Sequence, residues 1–187
     1  MAEGAAFEAE IAAMSNGVIS LVASMEMDPR RFSAAQLAVA DIARVTRKLY
    51  PESEVQCYGS MATGMMGKNS DVRINALQTR PPRLNSCPVQ VDVSIQITPD
   101  EIQNRNKRGT AMVNCLKKLT NALSQKHLHK HLGKNPMCRF ANIEPILQPK
   151  IPILKVEHVN IQTGETVEID ISVYNTLAVH RSRLLAG

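Results

Sequence analysis

The chain has 187 residues, of which 44% are hydrophobic and only 3% aromatic, and it contains no tryptophan. This length suffices for one sizeable hydrophobic core. The scarcity of aromatic side chains argues against RNA-binding modules that stack bases on an aromatic sheet surface. The formal net charge of +5 favours partners that carry phosphate groups or an acidic surface.

Cysteine spacing and the chain's start bear on its compartment. The cysteines at positions 57, 87, 115 and 138 form no CxxC pair, which argues against a structural zinc site and indicates reduced thiols. No apolar run is long enough to cross a bilayer, so we expect no membrane insertion. The acidic start resembles neither a signal peptide nor an Arg-rich transit peptide. We expect a reducing, intracellular compartment, and a mitochondrial location stays open for a processed or atypical chain.

Two helices are predicted at the start of the chain. Apolar residues recur at helical spacing over 5–26 and again over 34–49. Asp28-Pro29 is expected to break the first helix, and Ser33 is a suitable N-cap for the second. The positions of the second helix that are predicted to face the core are Leu37, Ala40, Ile42, Val45 and Leu49.

The rest of the chain is predicted to combine strands with two further helices. Strands are expected at 54–58, 72–77, 89–98, 142–148, 151–159 and 166–173. A helix is expected over 108–132, ended by Gly133, and another over 177–185. In the third strand Asp92 alternates with valines, so we expect its side chain to be exposed to solvent, although it could also serve as an acid of a functional site. Helices packed opposite a mixed sheet make the fold class α+β (α/β mixed), in one domain.

The loop after the first strand carries residues suited to phosphate and metal chemistry. At Gly59-Ser60 the main chain can approach a phosphate closely and the serine hydroxyl adds a donor. Asp71 offers a carboxylate to a divalent metal on that phosphate. A second acid would alternate with Asp71 on the same strand face, but Arg73 occupies that position.

Two sequence blocks occur in a recognisable order. The first runs over 55–60 and continues at Asn69-Ser70-Asp71, and the second runs over 151–156 and continues over 167–172. In this order they resemble the catalytic palm of the DNA polymerase β-like nucleotidyltransferases. Within that superfamily they are similar to the terminal uridylyltransferases and non-canonical poly(A) polymerases. The resemblance implies a palm over 33–187, with a helical segment over 1–32 and an insertion at about 78–108.

The resemblance also implies roles for individual residues. Gly59, Ser60 and Ser182 match positions that hold the nucleotide. Asp71 and Asp170 match the first and third catalytic acids, which bind magnesium ions bridging to the phosphates of UTP or ATP.

Departures from the family pattern predict an impaired site. Arg73 replaces the second acid, which removes a metal ligand and places a positive charge near a dication. Arg181 replaces an asparagine that tailing enzymes usually place before the serine. The tailing enzymes also carry a second, helical domain, and we expect half of the nucleotide cleft to be missing because the chain stops at Gly187.

Three functions follow from this pattern. The preferred hypothesis is a catalytically degenerate nucleotidyltransferase fold without a cofactor, acting as a subunit of a larger, RNA-containing or organellar assembly of proteins. The second is an active template-independent RNA nucleotidyltransferase that uses Mg2+ with UTP or ATP. The third is an RNA-binding adaptor, because residues 105–139 contain no Asp or Glu. The residues predicted to bind RNA or a partner are Lys117, Lys118, Lys126 and Lys130.

Overall fold

The computed structural model describes residues 15, 28–63, 89–96, 107–148 and 150–186. The helices within these ranges are α1 (Pro29–Leu49), the single turn α2 (Ser60–Thr63), α3 (Arg108–Leu123), α4 (Gln125–Leu132) and α5 (Thr176–Leu185). The strands are β1 (Glu54–Tyr58), β2 (Val89–Gln96), β3 (Cys138–Ile146), β4 (Ile153–Asn160) and β5 (Thr166–Val173). None of the described helices combines the length and apolarity that crossing a membrane requires.

The described strands form one mixed sheet in the order β1-β2-β5-β4-β3. Strand β2 pairs with β5 in parallel, and the other neighbours are antiparallel. The parallel pair lies at the centre, where both strands have apolar residues at every second position. The predicted α+β class with a mixed sheet packed on helices is therefore confirmed.

One face of the sheet is apolar and forms the hydrophobic core. Val91 and Val93 of β2 lie beside Ile169 and Ile171 of β5 in register, and all four are almost completely buried. Helices α1 and α3 cover this face with their own apolar residues. The apolar stripe predicted for the helix over 108–132 is confirmed, since these five residues are buried: Met112, Leu116, Leu119, Leu123 and Leu128.

Helix α1 begins earlier than predicted. Its N-cap is Asp28, whose carboxylate accepts a hydrogen bond from the N–H of Arg30 at 2.9 Å. Pro29 fits the first helical position because that N–H would have no partner within the helix. Ser33 lies inside the helix, where its hydroxyl donates to the carbonyl of Pro29. The predicted N-cap at Ser33 is therefore wrong.

The earlier start is accompanied by a different inward face. Leu37 is 53% exposed and Ala40 is also exposed, so neither faces the core as predicted. The inward side of α1 is built mainly from Ala34, Ala35, Ala38, Ile42 and Val45. Small alanines at the start of the helix allow it to pack closely on the sheet.

The helix predicted over 108–132 is two helices, α3 and α4, which are separated at Ser124. Ser124 has an extended backbone (φ −59°, ψ 143°). Its hydroxyl donates to the carbonyl of Asn121 at 2.6 Å, and the Nδ1 of His127 lies 3.2 Å from the same hydroxyl. Serine side chains compete in this way for backbone groups and end helices. Gly133 is the C-cap of α4, as predicted for the end of the helix.

The strand bounds differ most at the edge of the sheet. β1 and β5 have their predicted bounds, whereas β3 begins at Cys138 instead of residue 142. The pairing of β3 with β4 shifts register between Ala141 and Glu144, and Asn142 has a positive φ of 47°. These are the features of a β-bulge, which adds a residue to one strand of a pair. The bulge interrupts the alternation of inward and outward side chains, which is why the sequence pattern placed the start of this strand at residue 142.

Candidate active site on the polar face of the sheet

The other face of the sheet carries polar side chains, and the turn after β1 lies at its edge. Gly59 follows β1 with a positive φ of 71°, and Ser60 opens the short helix α2. The N–H of Gly59 donates a 2.8 Å hydrogen bond to the hydroxyl of Ser182, which lies on α5. Ser182 is only 6% exposed. The sequence-predicted residues Gly59, Ser60 and Ser182 are thus brought together.

Two carboxylates stand side by side next to this turn. Asp92 on β2 and Asp170 on β5 are register partners on adjacent parallel strands, so their side chains share the polar face. Asp92 is also the register partner of Tyr58 at the end of β1. A Cβ atom placed on Gly59 would lie 2.8 Å from Oδ2 of Asp92. The carboxylate of Asp92 therefore reaches the Gly59 turn.

The surroundings of the two carboxylates are strongly polar. Asp170 is 8% exposed and accepts a hydrogen bond from Nε2 of Gln90 at 3.3 Å. The ammonium group of Lys155, the register partner of Asp170 on β4, lies 3.9 Å from its Oδ2. Burial and the negative charges of Asp92 and Asp170 raise the pKa of the Tyr58 hydroxyl, although hydrogen bonds to that hydroxyl oppose the rise. Negative charge is therefore concentrated at this point of the sheet.

Ser94 occupies the position two residues after Asp92 on the same face. It is completely buried. Its hydroxyl oxygen accepts hydrogen bonds from the N–H of Asn175 at 3.0 Å and from Nε2 of Gln96 at 2.9 Å. A second acid of the kind implied by the resemblance is therefore absent from β2, and a neutral hydroxyl stands at that position.

The structure places the sequence-predicted residues in three groups. Gly59, Ser60, Asp170 and Ser182 belong to the site just described. Asp71 and Arg73 lie outside the described residues, as does the strand predicted over 72–77. The predicted binding lysines are exposed on α3 and α4, which pack on the apolar face and therefore lie away from the carboxylates. These residues are Lys117, Lys118, Lys126 and Lys130.

Asp92 is a site residue that the sequence reasoning weighed as a substitute for the missing acid but assigned to the solvent. Its predicted phase, opposite the apolar residues of β2, is confirmed. The predicted exposure to solvent is wrong, because Asp92 is half-buried between β1, β5 and the Gly59 turn. One sequence signal pointed to it: Asp92 and Asp170 both lie in strongly apolar alternating strands, as expected for neighbouring central strands.

The donor set fits a hard divalent cation. Two aspartate carboxylates that share a face, beside a glycine turn, are ligands that Mg2+ accepts together with phosphate oxygens. Lys155 and Gln90 already hold the carboxylate of Asp170 in position. The residues that would hold the ion are therefore Asp92 and Asp170.

Comparisons with known proteins identify the family of the chain. The family model of the mitochondrial-like poly(A) RNA polymerase central palm domain matches residues 14–187. Human terminal uridylyltransferase 7 is 45% identical over 60 residues, which are 32% of this chain and 3% of that protein. Human terminal uridylyltransferase 4 is 38% identical over 95 residues, or 51% of this chain and 5% of that protein. The chain thus spans a small fraction of these relatives.

Solved structures share the fold. The structure of the Cid1 poly(U) polymerase with MgGTP superposes with a TM-score of 0.59 and 16% identity, covering 93% of this chain and 42% of that one. The structure of mtPAP with ATPγS gives a TM-score of 0.58 and 19% identity, covering 92% and 31%. The chain therefore has the nucleotidyltransferase palm fold and spans less than half of these structures.

Proposed function

Because the chain belongs to the family of mitochondrial-like poly(A) RNA polymerase central palm domains, we propose that its polar sheet face binds a nucleoside triphosphate without efficient nucleotidyl transfer. In this proposal the domain is an interaction subunit of a larger assembly. One observation carries it: β2 brings Asp92 beside Asp170, but has Ser94 where a further acid would stand. We propose β2 as the acid-bearing strand in place of the strand predicted over 72–77.

The binding half of the proposal rests on the two carboxylates and the glycine turn. Asp92 and Asp170 would hold a magnesium ion, which would neutralise charge on the triphosphate. Ser60 adds a hydroxyl donor beside Gly59, and α5 fixes the turn through the hydroxyl of Ser182. Similar proteins are described with bound nucleotides, Cid1 with MgGTP and mtPAP with ATPγS, which supports the assignment of a nucleotide to this face.

The proposal that nucleotidyl transfer is inefficient rests on the small negative charge of the site. A site with two carboxylates offers two negative charges, whereas two-metal transfer relies on more carboxylate ligands to hold both dications. Ser94 is neutral and its hydroxyl is already engaged by Asn175 and Gln96. Binding of one ion with its nucleotide is therefore favoured over assembly of a two-metal centre.

Thermal unfolding with MgUTP or MgATP tests the binding half. We expect one of these nucleotides to raise the melting temperature in a saturable manner, and only when Mg2+ is present. Asp170→Asn should weaken the apparent affinity by about tenfold or more, equivalent to about 1.4 kcal/mol. The control Glu157→Gln removes the same charge from the same face, on neighbouring strand β4, and should retain binding. Equal affinity in the unaltered chain and Asp170→Asn would contradict the proposal.

Primer extension on an RNA 3′ end tests the impaired half. We expect negligible extension by the unaltered chain and at least about tenfold more by Ser94→Asp, because the new carboxylate supplies the absent ligand. Arg73→Asp is the matched variant, and it should leave extension unchanged if β2 is the acid-bearing strand. Robust extension by the unaltered chain would establish the active nucleotidyltransferase instead. A gain only in Arg73→Asp would assign the acids to Asp71 and its strand.

The subunit role is supported by apolar surface next to the site. Leu177, Leu184 and Leu185 on α5 are 60%, 69% and 66% exposed, and α5 also carries Ser182. Exposed apolar residues grouped on one element are typical of an interaction surface. Leu184→Ser should weaken co-purification of a partner protein in pull-down from cells, while the melting temperature stays unchanged.

A second candidate function, RNA binding, is favoured by the basic helices. Lys117, Lys118, Lys126 and Lys130 are exposed on α3 and α4, in a stretch without acidic residues. Such a surface predicts an RNA affinity that falls steeply with salt. Charge reversal at Lys117, Lys118 and Lys126 should abolish binding measured by fluorescence anisotropy. An RNA affinity that does not change with salt concentration would exclude RNA binding by these lysines.

A further inference from the structure

A second cluster of ligand-forming side chains lies on the opposite face of the sheet. Asp41 of α1, Cys138 at the start of β3 and His158 of β4 each point one ligand atom toward the others, all within 4.8 Å of one another. Cys138 and His158 are only 3% and 2% exposed. The Nε2 atom of His158 lies 3.0 Å from Oδ2 of Asp41. The cluster shares no residue with the polar face.

The spacing of these atoms matches a tetrahedral metal site. With metal–nitrogen and metal–oxygen distances of about 2.0–2.1 Å, two such ligands lie about 3.3 Å apart, and nitrogen and sulfur ligands about 3.6 Å apart. The 3.0 Å separation of the His158 and Asp41 atoms is close to the first value. The other two separations are at most 4.8 Å, which exceeds the tetrahedral nitrogen–sulfur value by about 1.2 Å at most, and small movements of both side chains can close such a gap.

The ligand types select the class of ion. Thiolate, imidazole and carboxylate ligands together suit Zn2+ and similar borderline transition metals, whereas Mg2+ and Ca2+ take oxygen ligands. We propose that Asp41, Cys138 and His158 bind a divalent transition-metal ion, with Zn2+ the preferred one. The fourth position is left to water, on the side where the Asp41 side chain is 16% exposed.

Neighbouring groups hold the ligands in place. The rings of Phe140 and His158 are register partners packed edge to face, with centroids 5.3 Å apart. The guanidinium of Arg44 lies 3.4 Å from Oδ1 of Asp41, leaving Oδ2 directed at His158. Ligands fixed by packing and by outer hydrogen bonds are a feature of metal sites on rigid elements. Arg44 is 62% exposed and can turn into solvent when an ion enters.

The hydrogen bond between Cys138 and Asp41 is consistent with this proposal. The Cys138 thiol donates a hydrogen bond to the Asp41 carboxylate. Binding of an ion replaces this proton, which is released as the sulfur–metal bond forms. The predicted absence of a zinc site considered only spacing between cysteines. Here the three ligands are different residue types from distant positions of the chain.

Cobalt substitution tests the proposal directly. After treatment with a chelator, the chain is titrated with Co2+, and we expect one equivalent to produce a thiolate-to-cobalt charge-transfer band and visible bands of tetrahedral coordination. Cys138→Ser should remove the charge-transfer band. The matched control Cys115→Ser alters another buried cysteine, on α3 outside the cluster, and should keep it. Absence of the bands, or a band that survives Cys138→Ser, would overturn the proposal.

A measurement on the unaltered chain covers the case in which Cys138→Ser fails to fold. One equivalent of Zn2+ should raise the melting temperature, while one equivalent of Mg2+ should not. Asp170→Asn should retain the full Zn2+ effect, which separates this site from the nucleotide site on the other face. No stabilisation by Zn2+ in the unaltered chain would overturn the proposal whatever the nucleotide experiments show.

Discussion

At the scale of single residues, Gly59 decides how closely the turn approaches Asp92. Two constraints act there: the backbone has a positive φ of 71°, and a Cβ atom would lie 2.8 Å from the Asp92 carboxylate. Gly164, in the turn between β4 and β5, has a similar φ of 73°, but a Cβ atom there would meet nothing within 4 Å. A comparison of substitutions at the two glycines therefore separates the cost of backbone strain from the cost of steric contact.

Alanine at these two glycines therefore gives different outcomes. Gly164→Ala should lower the free energy of unfolding by about 1–2 kcal/mol, the cost of a left-handed backbone in a non-glycine residue. Gly59→Ala should cost more than this and also weaken MgUTP binding, because the methyl group displaces Asp92. Urea denaturation and nucleotide titration of both variants measure the difference. Equal destabilisation by the two variants would mean that the Asp92 side chain can move away from the added methyl group at no cost in free energy.

The hydroxyl of Ser182 is the second single group on which the turn depends. Ser182→Ala leaves the N–H of Gly59 without its 2.8 Å acceptor, at a position where Ser182 is almost fully buried. An unpaired buried donor costs about 1–3 kcal/mol. Urea denaturation should show this loss. Thr163→Ala, in an exposed turn, is the control and should change the free energy by less than about 0.5 kcal/mol.

At the scale of elements, β5 is central to both faces of the molecule. It lies between β2 and β4, places Asp170 on the polar face and buries Ile169 and Ile171 on the other. Burial of these isoleucines holds the strand that positions Asp170. Stability of the core and geometry of the site are therefore set by alternate residues of one strand.

Ile171→Ala should lower the free energy of unfolding by about 2–5 kcal/mol, because it leaves a cavity in a closely packed core. The matched control is Ile161→Ala, in the turn after β4, where the side chain is 58% exposed. That change should cost less than about 0.5 kcal/mol. Chemical denaturation followed by circular dichroism measures both, and similar losses would contradict the assigned burial.

Elements with a clear apolar period could be predicted from the sequence, and those set by a single polar group could not. β1 and β5 have the predicted bounds because their alternation is uninterrupted. The break at Ser124 depends on a hydroxyl that bonds Asn121, which the continuous apolar stripe concealed. Gly59 was indicated by the glycine-rich loop itself, whereas Ser182 and Asp170 were identified through the family resemblance. Asp92 was assigned to the solvent because strand pairing, which brings it beside Asp170, is not local in sequence.

At the scale of the whole molecule, the sheet separates two chemically distinct surfaces. The carboxylates Asp92 and Asp170 lie on one side, and the lysines of α3 and α4 lie on the helices that cover the other. Sites separated in this manner act independently when they share no contacts.

Variants on the two surfaces should therefore have separate effects. Lys117→Glu with Lys118→Glu should weaken RNA binding and reduce its salt slope by about 1 per lysine, leaving MgUTP affinity unchanged. Asp170→Asn should weaken MgUTP binding and leave RNA binding unchanged. Fluorescence anisotropy with RNA and thermal shifts with MgUTP, measured on each variant, check this. Loss of both activities in either variant would show that the surfaces are coupled.

The bulge in β3 has a consequence for how copies of the protein behave at high concentration. β3 is the last strand of the described sheet, and such an outer strand can recruit an identical one from a neighbouring molecule. The register shift between Ala141 and Glu144 and the missing N–H of Pro145 interrupt the row of donors along this strand. We therefore expect strand-by-strand aggregation along that edge of the sheet to be hindered.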